Sequence, residues 1–172
     1  MTEAVVFGRR AGETAAKQAT AASKKSFPAV KVADEEKQLA RIFSAEPSKD
    51  SLGKIHSELG QLMNEKVGLI RSGTGLQEAS GQIQNLKDRY SRLRVKNPSR
   101  IYNYELTSYL ELGSMLTLAE VVALAAGARA ESRGAHQRAD FSERDDTNWK
   151  SHTLVSFVGG SGQLQKKPVA AG

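Results

Sequence analysis

Apolar residues recur at helical spacing in two adjacent stretches of the chain. The first stretch follows Pro47 and has apolar side chains at Leu52, Ile55, Leu59, Leu62 and Met63. The second has them at Leu76, Ala79, Ile83, Leu86, Tyr90 and Leu93. Steps of three and four residues place these side chains on one side of each helix. The short connection between the two helices predicts an antiparallel hairpin.

A third long helix is predicted from about Asn103 to Glu131. The preceding helix is expected to end at Asn97-Pro98-Ser99, because proline disfavours helical geometry in the residue before it. From Leu118 to Ala128 the third helix is apolar on nearly every side. This pattern is typical of a helix that is buried all round, so we expect it at the centre of a bundle.

The two ends of the chain follow different patterns. Thr2 to Ala22 repeats apolar residues every four positions and predicts a helix, while Ser23 to Lys31 is typical of a linker before a short helix over Asp34 to Phe43. His152 to Val158 alternates in twos and predicts a strand that pairs with Gln163 to Val169. The predicted fold is therefore mainly α, a helical bundle of three long helices with an N-terminal helix and a short β-hairpin tail.

The same patterns divide the chain into four parts. The predicted divisions are an N-terminal helix at 1–22, a linker with a short helix at 23–47, a helical bundle at 48–141 and an extended tail at 142–172. A chain of 172 residues is long enough to bury a real core.

Composition excludes several functions. Without cysteine there are no disulfides or thiolate sites, and His56, His136 and His152 are too scattered to predict a metal site. The apolar segment Leu112 to Ala128 contains Ser114, Thr117 and Glu120, and it is too short for a membrane span. We therefore expect a cytoplasmic chain without direct membrane insertion.

The net charge of +6 raises the possibility of nucleic-acid binding. Much of that charge lies in one basic run, opposed there only by Asp88: Lys87, Arg89, Arg92, Arg94, Lys96 and Arg100. No nucleic-acid-binding motif accompanies the run. A solvated or partner-facing helix surface is the favoured interpretation, and no nucleic-acid partner is predicted.

The densest chemistry lies in residues 129–150, which we call the charged segment. It contains five cations and five anions, a balance that favours mutual pairing over polyanion binding. Arg133 and His136 are the candidate site residues, because Gly134 permits a close turn that aims both side chains the same way. Arg133 could grip a carboxylate or phosphate. The alternative is that Arg133 pairs within the segment and His136 binds a carbonyl.

Three further residues of the segment have structural and functional interpretations. Asp145-Asp146 could be an acid/base or metal pair, but adjacent residues rarely point to one site, and Asp146 capping a turn is the simpler account. Trp149 is expected to be a packing anchor for the tail. Catalytic and metal sites are therefore not predicted in this chain.

The charged segment resembles a known signature. Glu131 to His136, followed by Arg138, Asp140, Arg144-Asp145-Asp146 and Lys150 to Leu154, resembles the C-terminal signature of succinate dehydrogenase and fumarate reductase flavoprotein subunits, with L-aspartate oxidase as a close cousin. Thr2 to Gly12 resembles the helix that ends the flavin-binding domain of that family. Tyr104 to Glu120 is similar to the core helix of its C-terminal helical domain.

The resemblance implies a parent reaction and a set of partners. The family interconverts succinate and fumarate with FAD and passes electrons to an iron-sulfur subunit. The family's nucleotide loop, flavin histidine and substrate-binding residues belong upstream and match no residue here, so no catalytic residue is carried over and no cofactor is expected for this chain alone. The implied partners are the flavin-binding N-terminal portion and the iron-sulfur subunit, with the chain peripheral at the cytoplasmic face of the inner membrane through partner subunits.

Two hypotheses from different classes remain open. In the first, the chain is the C-terminal helical domain of such a flavoprotein, covering the flavin domain with Arg133 and His136 near the domain junction and with Arg138, Arg144 and Asp145 holding the tail. In the second, it is a free-standing helical interaction module without redox activity, which binds through its helical hairpin.

Overall fold

The computed structural model describes residues 2–22, 29–44, 48–159 and 161–169. The helices are α1 (Thr2–Ala21), α2 (Ala29–Ser44), α3 (Leu52–Lys66), α4 (Gly73–Ser91), α5 (Tyr104–Ala128) and α6 (Asp146–Trp149). The strands are β1 (Ile70–Arg71), β2 (Gln137–Arg138), β3 (Ser151–Val158) and β4 (Ser161–Pro168). The predicted mainly α fold with a C-terminal β-hairpin is confirmed.

The chain divides into two compact units, Met1–Gln38 and Leu39–Gly172. In the first unit, α1 has no buried residue, and its apolar Val5, Val6 and Phe7 are exposed. Helix α2 begins at Ala29, so residues 29–31 are helical, in contrast to the predicted linker. The rest of that linker, at 23–28 and 45–47, lies outside the described residues.

The second unit has its core between α3, α4 and α5. The most deeply buried large side chains of this core are Ile42, Ile55, Leu76, Ile83, Tyr109, Leu112 and Leu116. Two ion pairs show that α3 and α4 are antiparallel, as predicted. Lys66 at the end of α3 pairs with Glu78 near the start of α4, and Arg89 at the end of α4 pairs with Glu58 of α3.

Helix α4 ends earlier than predicted. It stops at Ser91, and residues from Leu93 to Pro98 form no helix. Leu93 and Val95 are buried in this connection, and the Val95 backbone N–H donates to the Ile42 carbonyl over 3.2 Å. The side chain of Leu93 therefore reaches the core from an irregular segment. Because Leu93 follows Tyr90 at helical spacing, the sequence alone makes it look like part of the helix.

Helix α5 is not buried all round, so that prediction is wrong. One stripe packs into the core, whereas Leu110, Met115, Leu118 and Val122 are exposed. We call these four residues the open face of α5. The reason is geometric, since α3, α4 and the β-hairpin cover only part of the helix circumference within the described residues.

Helix α5 is also longer than the apolar run that seemed too short for a membrane span. With 25 residues it is long and apolar enough to cross a bilayer by length and composition. One stripe of α5 packs in the core, where Tyr109, Leu112 and Leu116 are buried, and Glu120 forms an ion pair with Lys87 at 2.6 Å. Only 28% of its membrane-length window is buried within the described residues.

Two small sheets complete the second unit. Strand β1 pairs in parallel with β2, so that Arg71 lies beside Arg138. Strands β3 and β4 form an antiparallel hairpin from Ser151–Pro168 to Val158–Ser161. Its turn contains Gly159 at φ +60, a conformation that favours glycine. The β1–β2 pairing brings the connection after α3 against the charged segment.

Candidate functional site

A buried carboxylate organises the charged segment. The Glu131 side chain has no exposed surface, and it accepts from Arg133 Nε and Nη2 at 2.9 Å each, from the Asp145 backbone N–H at 2.9 Å and from Arg129. These donors, with Arg133 contributing most, lower the pKa of Glu131 to about 2. The ionised carboxylate is therefore held by cations from both sides of it in the sequence.

Arg138 closes the end of α5. Its guanidinium is buried and donates to the carbonyls of Ala126, Gly127 and Arg129 at 3.0, 3.2 and 3.0 Å. Asp140 balances the charge through two hydrogen bonds of 2.7 and 2.8 Å, and the Arg138 guanidinium lowers the Asp140 pKa. A cation on unpaired helix carbonyls is favourable for both hydrogen bonding and the helix dipole.

Arg129 attaches the tail to α5. It donates to the carbonyls of Trp149 and Ser151 at 3.1 and 2.6 Å and to Thr153 Oγ1 at 3.1 Å. Its guanidinium also lies over the Trp149 ring, 5.1 Å from the centroid. Trp149 is buried, as expected of a packing anchor. Of the residues predicted to hold the tail, Asp145 does so through its backbone hydrogen bond to Glu131, whereas Arg138 binds the end of α5 and Arg144 pairs with Asp146 inside the tail. Arg129 is a tail-binding residue that the sequence did not predict.

The two candidate residues face each other across a tight turn. Arg133 and His136 exchange backbone hydrogen bonds of 2.8 and 3.0 Å around Gly134, which has φ +58. Their side chains have different partners, in contrast to the predicted shared direction. Arg133 binds Glu131 and Asp146, whereas His136 binds neither of these carboxylates.

The adjacent residues Asp145 and Asp146 have different partners. Asp145 caps α6 by accepting from the Asn148 backbone N–H at 2.9 Å, so the cap is not Asp146 as the sequence suggested. Asp146 pairs with Arg133 at 2.6 Å and with Arg144 at 2.7 Å. The Arg144 and Arg133 guanidinium groups hold the Asp146 pKa well below its usual range. Both carboxylates are therefore occupied by internal contacts.

His136 is bound on both ring nitrogens. Arg71 Nη1 lies 2.8 Å from Nδ1, and the Arg129 carbonyl lies 3.2 Å from Nε2. A guanidinium only donates, so Nδ1 accepts and Nε2 carries the proton that it donates to the carbonyl. Burial and the neighbouring arginines lower the His136 pKa, which keeps the ring neutral near pH 7.

A shallow cavity of about 420 Å³, widely open to solvent, lies beside this pair. It is lined by Arg71, Val121, Val122, Ala125, Ala126, Arg129, His136, Ser151, His152 and Thr153. Val122 belongs to both the cavity and the open face of α5. The cavity is therefore continuous with an exposed apolar surface.

Arg71 is the functional candidate that sequence reasoning missed. It lies 65 positions before His136, in a segment with no recognised motif. Only the parallel pairing of β1 with β2 brings the two together. Such long-range pairing of two-residue strands leaves no periodic signal in the sequence.

The basic run is partly neutralised by acids from other elements. Lys87 pairs with Glu120 at 2.6 Å, and Arg89 makes paired hydrogen bonds to Asp50 as well as contacts to Glu58. Asp88 is the only acid within the run itself, and the folded chain adds acids that lie elsewhere in the sequence. Within the described ranges, no cluster of three or more histidine, aspartate or glutamate residues is arranged to hold a metal ion.

Comparison with known proteins identifies the family. Residues 56–172 match the family model described as fumarate reductase flavoprotein C-term, and the chain belongs to this family. The fumarate reductase flavoprotein subunit of Haemophilus influenzae is 38% identical over 98% of this chain, and the succinate dehydrogenase flavoprotein subunit of Rickettsia felis is 31% identical over 98%.

The structural comparison agrees. A solved structure of E. coli quinol fumarate reductase matches with a TM-score of 0.89 and 36% identity, covering 96% of this chain and 29% of that one. Both flavoprotein relatives are matched over only 28% of their own length. The chain thus spans little more than a quarter of the relatives that it resembles.

Proposed function

We propose that this chain is the helical domain that covers the flavin-binding portion of a fumarate reductase or succinate dehydrogenase flavoprotein subunit. The observation that carries the proposal is the uneven coverage of the match, which includes 98% of this chain but 28% of the H. influenzae relative. The flavin-binding and catalytic parts would then lie in the remainder of the subunit.

The surface of the domain supports this role. Leu118 is 63% exposed and forms part of the open face with Leu110, Met115 and Val122. Several large exposed apolar side chains on one helix are typical of a contact with another protein surface. Because the open face continues into the cavity beside His136, we propose that the flavin-binding portion packs over both.

Arg133 and His136 have distinct roles in this proposal. His136 lies at the junction through its place in the cavity wall. Arg133 acts behind it, by fixing Glu131 and Asp146 and so holding the turn that carries His136. Both are positioning residues rather than catalytic ones.

The glycines of helix α1 do not fit an FAD site. Gly8 and Gly12 lie inside helix α1 rather than in the strand–turn–helix loop that binds a dinucleotide. FAD in the parent subunit would accept or deliver hydride during succinate and fumarate interconversion. The residues of this chain would exclude water from one side of the domain junction and hold the partner surface in place.

The partners proposed for the domain are the flavin-binding portion and an iron-sulfur subunit. A quinol-fumarate reductase structure determined with menaquinol is among the solved matches, with 35% identity and a TM-score of 0.89. We therefore propose a cytoplasmic domain that is peripheral at the inner membrane and reaches it through partner subunits.

A reconstitution experiment tests the proposal. The chain and the flavin-binding polypeptide from the same organism are produced separately, and succinate-dependent dye reduction and co-elution are measured for each alone and for the mixture. We expect a complex with activity higher than that of either part. Bound flavin on this chain alone, or a failure of the two parts to associate, would contradict the proposal, and the latter would favour an independent interaction module.

A further inference from the structure

The ring of His136 joins two parts of the chain that lie far apart in sequence. Its Nδ1 accepts from Arg71 Nη1 at 2.8 Å, and its Nε2 donates to the Arg129 carbonyl at 3.2 Å. Arg71 lies in β1, and Arg129 directly follows α5. A neutral imidazole offers one acceptor and one donor, which is the combination that these two partners require. Only the neutral ring therefore satisfies both contacts.

Protonation of the ring is incompatible with the Arg71 contact. The charged imidazole carries a hydrogen on each nitrogen, so Nδ1 would present a donor to the donor of Arg71. Rotation of the ring brings no relief, because both nitrogens are then protonated. Arg71 is also fixed from behind, since its Nε donates to the carbonyls of Val67 and Gly68 at 3.0 and 2.9 Å. Proton binding and the contact between Arg71 and His136 therefore exclude each other.

The charged groups around the ring also oppose its protonation. Three arginines face it from three different elements, and they are Arg71 of β1, Arg129 at the end of α5 and Arg138 of β2. His152 of β3 lines the same cavity and is exposed. Burial, followed by these arginines, lowers the pKa of His136. The ring therefore ionises below about pH 6.5, the value of an unperturbed imidazole.

The carboxylates of the charged segment do not offset these cations at the ring. Glu131 and Asp140 bind arginines of the same segment instead. Within the described part of the chain, His136 forms no hydrogen bond with a carboxylate. A protonated His136 would thus lack a counter-charge where it now has a hydrogen bond.

The strand pairing beside the ring depends on few contacts. Strands β1 and β2 have two residues each, and the Ala139 backbone N–H donates to the Arg71 carbonyl at 2.8 Å. Further along, the Gly73 N–H donates to Asp140 at 2.9 Å, and a neighbouring guanidinium holds the Asp140 pKa well below its usual range. This second contact persists at the pH where His136 ionises. Loss of the Arg71 contact would therefore open only a short segment.

We propose that the Arg71–His136 contact is a pH-sensitive switch, which is closed while the ring is neutral and opens when the ring gains a proton. Opening places a second positive charge in the cavity wall and releases the Arg71 side chain from the ring. The closed state is fully stabilised above about pH 6.5, and this stabilisation is lost as the pH falls from there towards the pKa of His136. The inference concerns this chain alone, so its failure would leave the proposed function unaffected.

Amide hydrogen exchange and histidine titration of the full chain, both followed by NMR between about pH 7.5 and about pH 4.5, test the switch. The protection factor of the Ala139 N–H should fall by about tenfold for each unit that separates the pKa of His136 from about 6.5. The core amide of Ile83 should keep its protection, because the opening is local. His136 should ionise at lower pH than the exposed His56 and His152.

His136→Gln is the most informative variant, because glutamine offers both an acceptor and a donor but does not ionise. Its Ala139 protection factor should be independent of pH over this range. His152→Gln is the matched control, since it removes an exposed histidine of the same cavity and should keep the wild-type pH dependence. Arg71→Met provides a second variant if His136→Gln unfolds the chain. It should raise the pKa of His136 towards about 6.5, because the cation at Nδ1 is removed.

Four results would each overturn the inference. The first is a His136 that ionises at the same pH as the exposed histidines or above it. The second is a wild-type Ala139 protection factor that does not change with pH, or that changes equally in His136→Gln. The third is a parallel loss of protection at Ile83, which would indicate general acid unfolding. The fourth is an unchanged His136 pKa in Arg71→Met.

Discussion

Arg129 and Arg133 use their hydrogen-bonding capacity differently from the neighbouring Arg71. Arg129 and Arg133 share the buried carboxylate of Glu131, and Arg133 also binds Asp146. Arg71 contacts two carbonyls and a neutral histidine, with no carboxylate among the described residues. The high density of charge in the charged segment therefore does not mark a contact surface. Arg71, which has no carboxylate partner among the described residues, is the better candidate for a contact surface.

Removing the carboxylate of Glu131 should have the largest effect on stability. Glu131→Gln should destabilise the chain by about 3 to 5 kcal/mol, because it removes the counter-charge of Arg129 and one of the two carboxylates that bind Arg133 at a buried site. Urea unfolding of the full chain measures the effect. Glu143→Gln is the control, because this carboxylate is exposed and should change stability by less than about 0.5 kcal/mol. Equal effects of the two variants would contradict the central role of Glu131 in pairing with Arg129 and Arg133.

A smaller loss is expected at the end of α5. Arg138→Ala should cost about 2 to 3 kcal/mol, since the carbonyls of Ala126, Gly127 and Arg129 lose a charged donor. Arg144→Ala removes an exposed ion pair with Asp146 and should cost less than about 1 kcal/mol. Thermal unfolding of both variants checks the order, and the reverse order would show that Arg138 is not the helix cap.

Acid should weaken the ion pairs that Glu131 forms with Arg129 and Arg133. The pKa of Glu131 is about 2 in the folded chain and 4.5 when unperturbed. A depressed folded pKa contributes stability above about pH 4.5 that is lost as the pH falls towards 2. The difference in stability between wild type and Glu131→Gln should therefore shrink by about 1 to 2 kcal/mol between pH 7 and pH 3. An unchanged difference would show that Glu131 is not held as an anion.

The open cavity should contribute least to the stability of the chain alone. Ser151→Ala removes a buried hydroxyl with no internal partner, so the free energy of unfolding should change by less than about 0.5 kcal/mol or increase slightly. Denaturant unfolding checks this value. A loss as large as that expected for Arg138→Ala would show that the Ser151 hydroxyl stabilises the folded chain.

Much of the fold was predictable because it depends on local patterns. The stripes of α3 and α4 and the alternation of β3 are repeated signals, and they correctly predicted the elements and the helical hairpin. The burial of α5 was not predictable, because an apolar helix has the same sequence whether this chain or another polypeptide covers its outer side. The end of α4 was predicted too late because Leu93, which lies in an irregular segment, also packs in the core.

The candidate site was only partly predictable. Internal pairing of Arg133 with Glu131 follows from their separation of two residues and the balance of charge around them. The contact between Arg71 and His136 depends on strands of two residues each, which carry too little pattern to be recognised. Arg133 and His136 as junction residues remain a prediction.

The central claim is that the open face of α5 binds the flavin-binding portion of the subunit. Its most direct test is the Kd of that complex for wild type, Leu118→Glu and the control Gln82→Glu, which places the same charge on exposed α4 surface. Leu118→Glu should weaken binding by at least about tenfold, because a charge would be buried without a partner, while the control should bind like wild type. Equal affinity of all three proteins would contradict the claim.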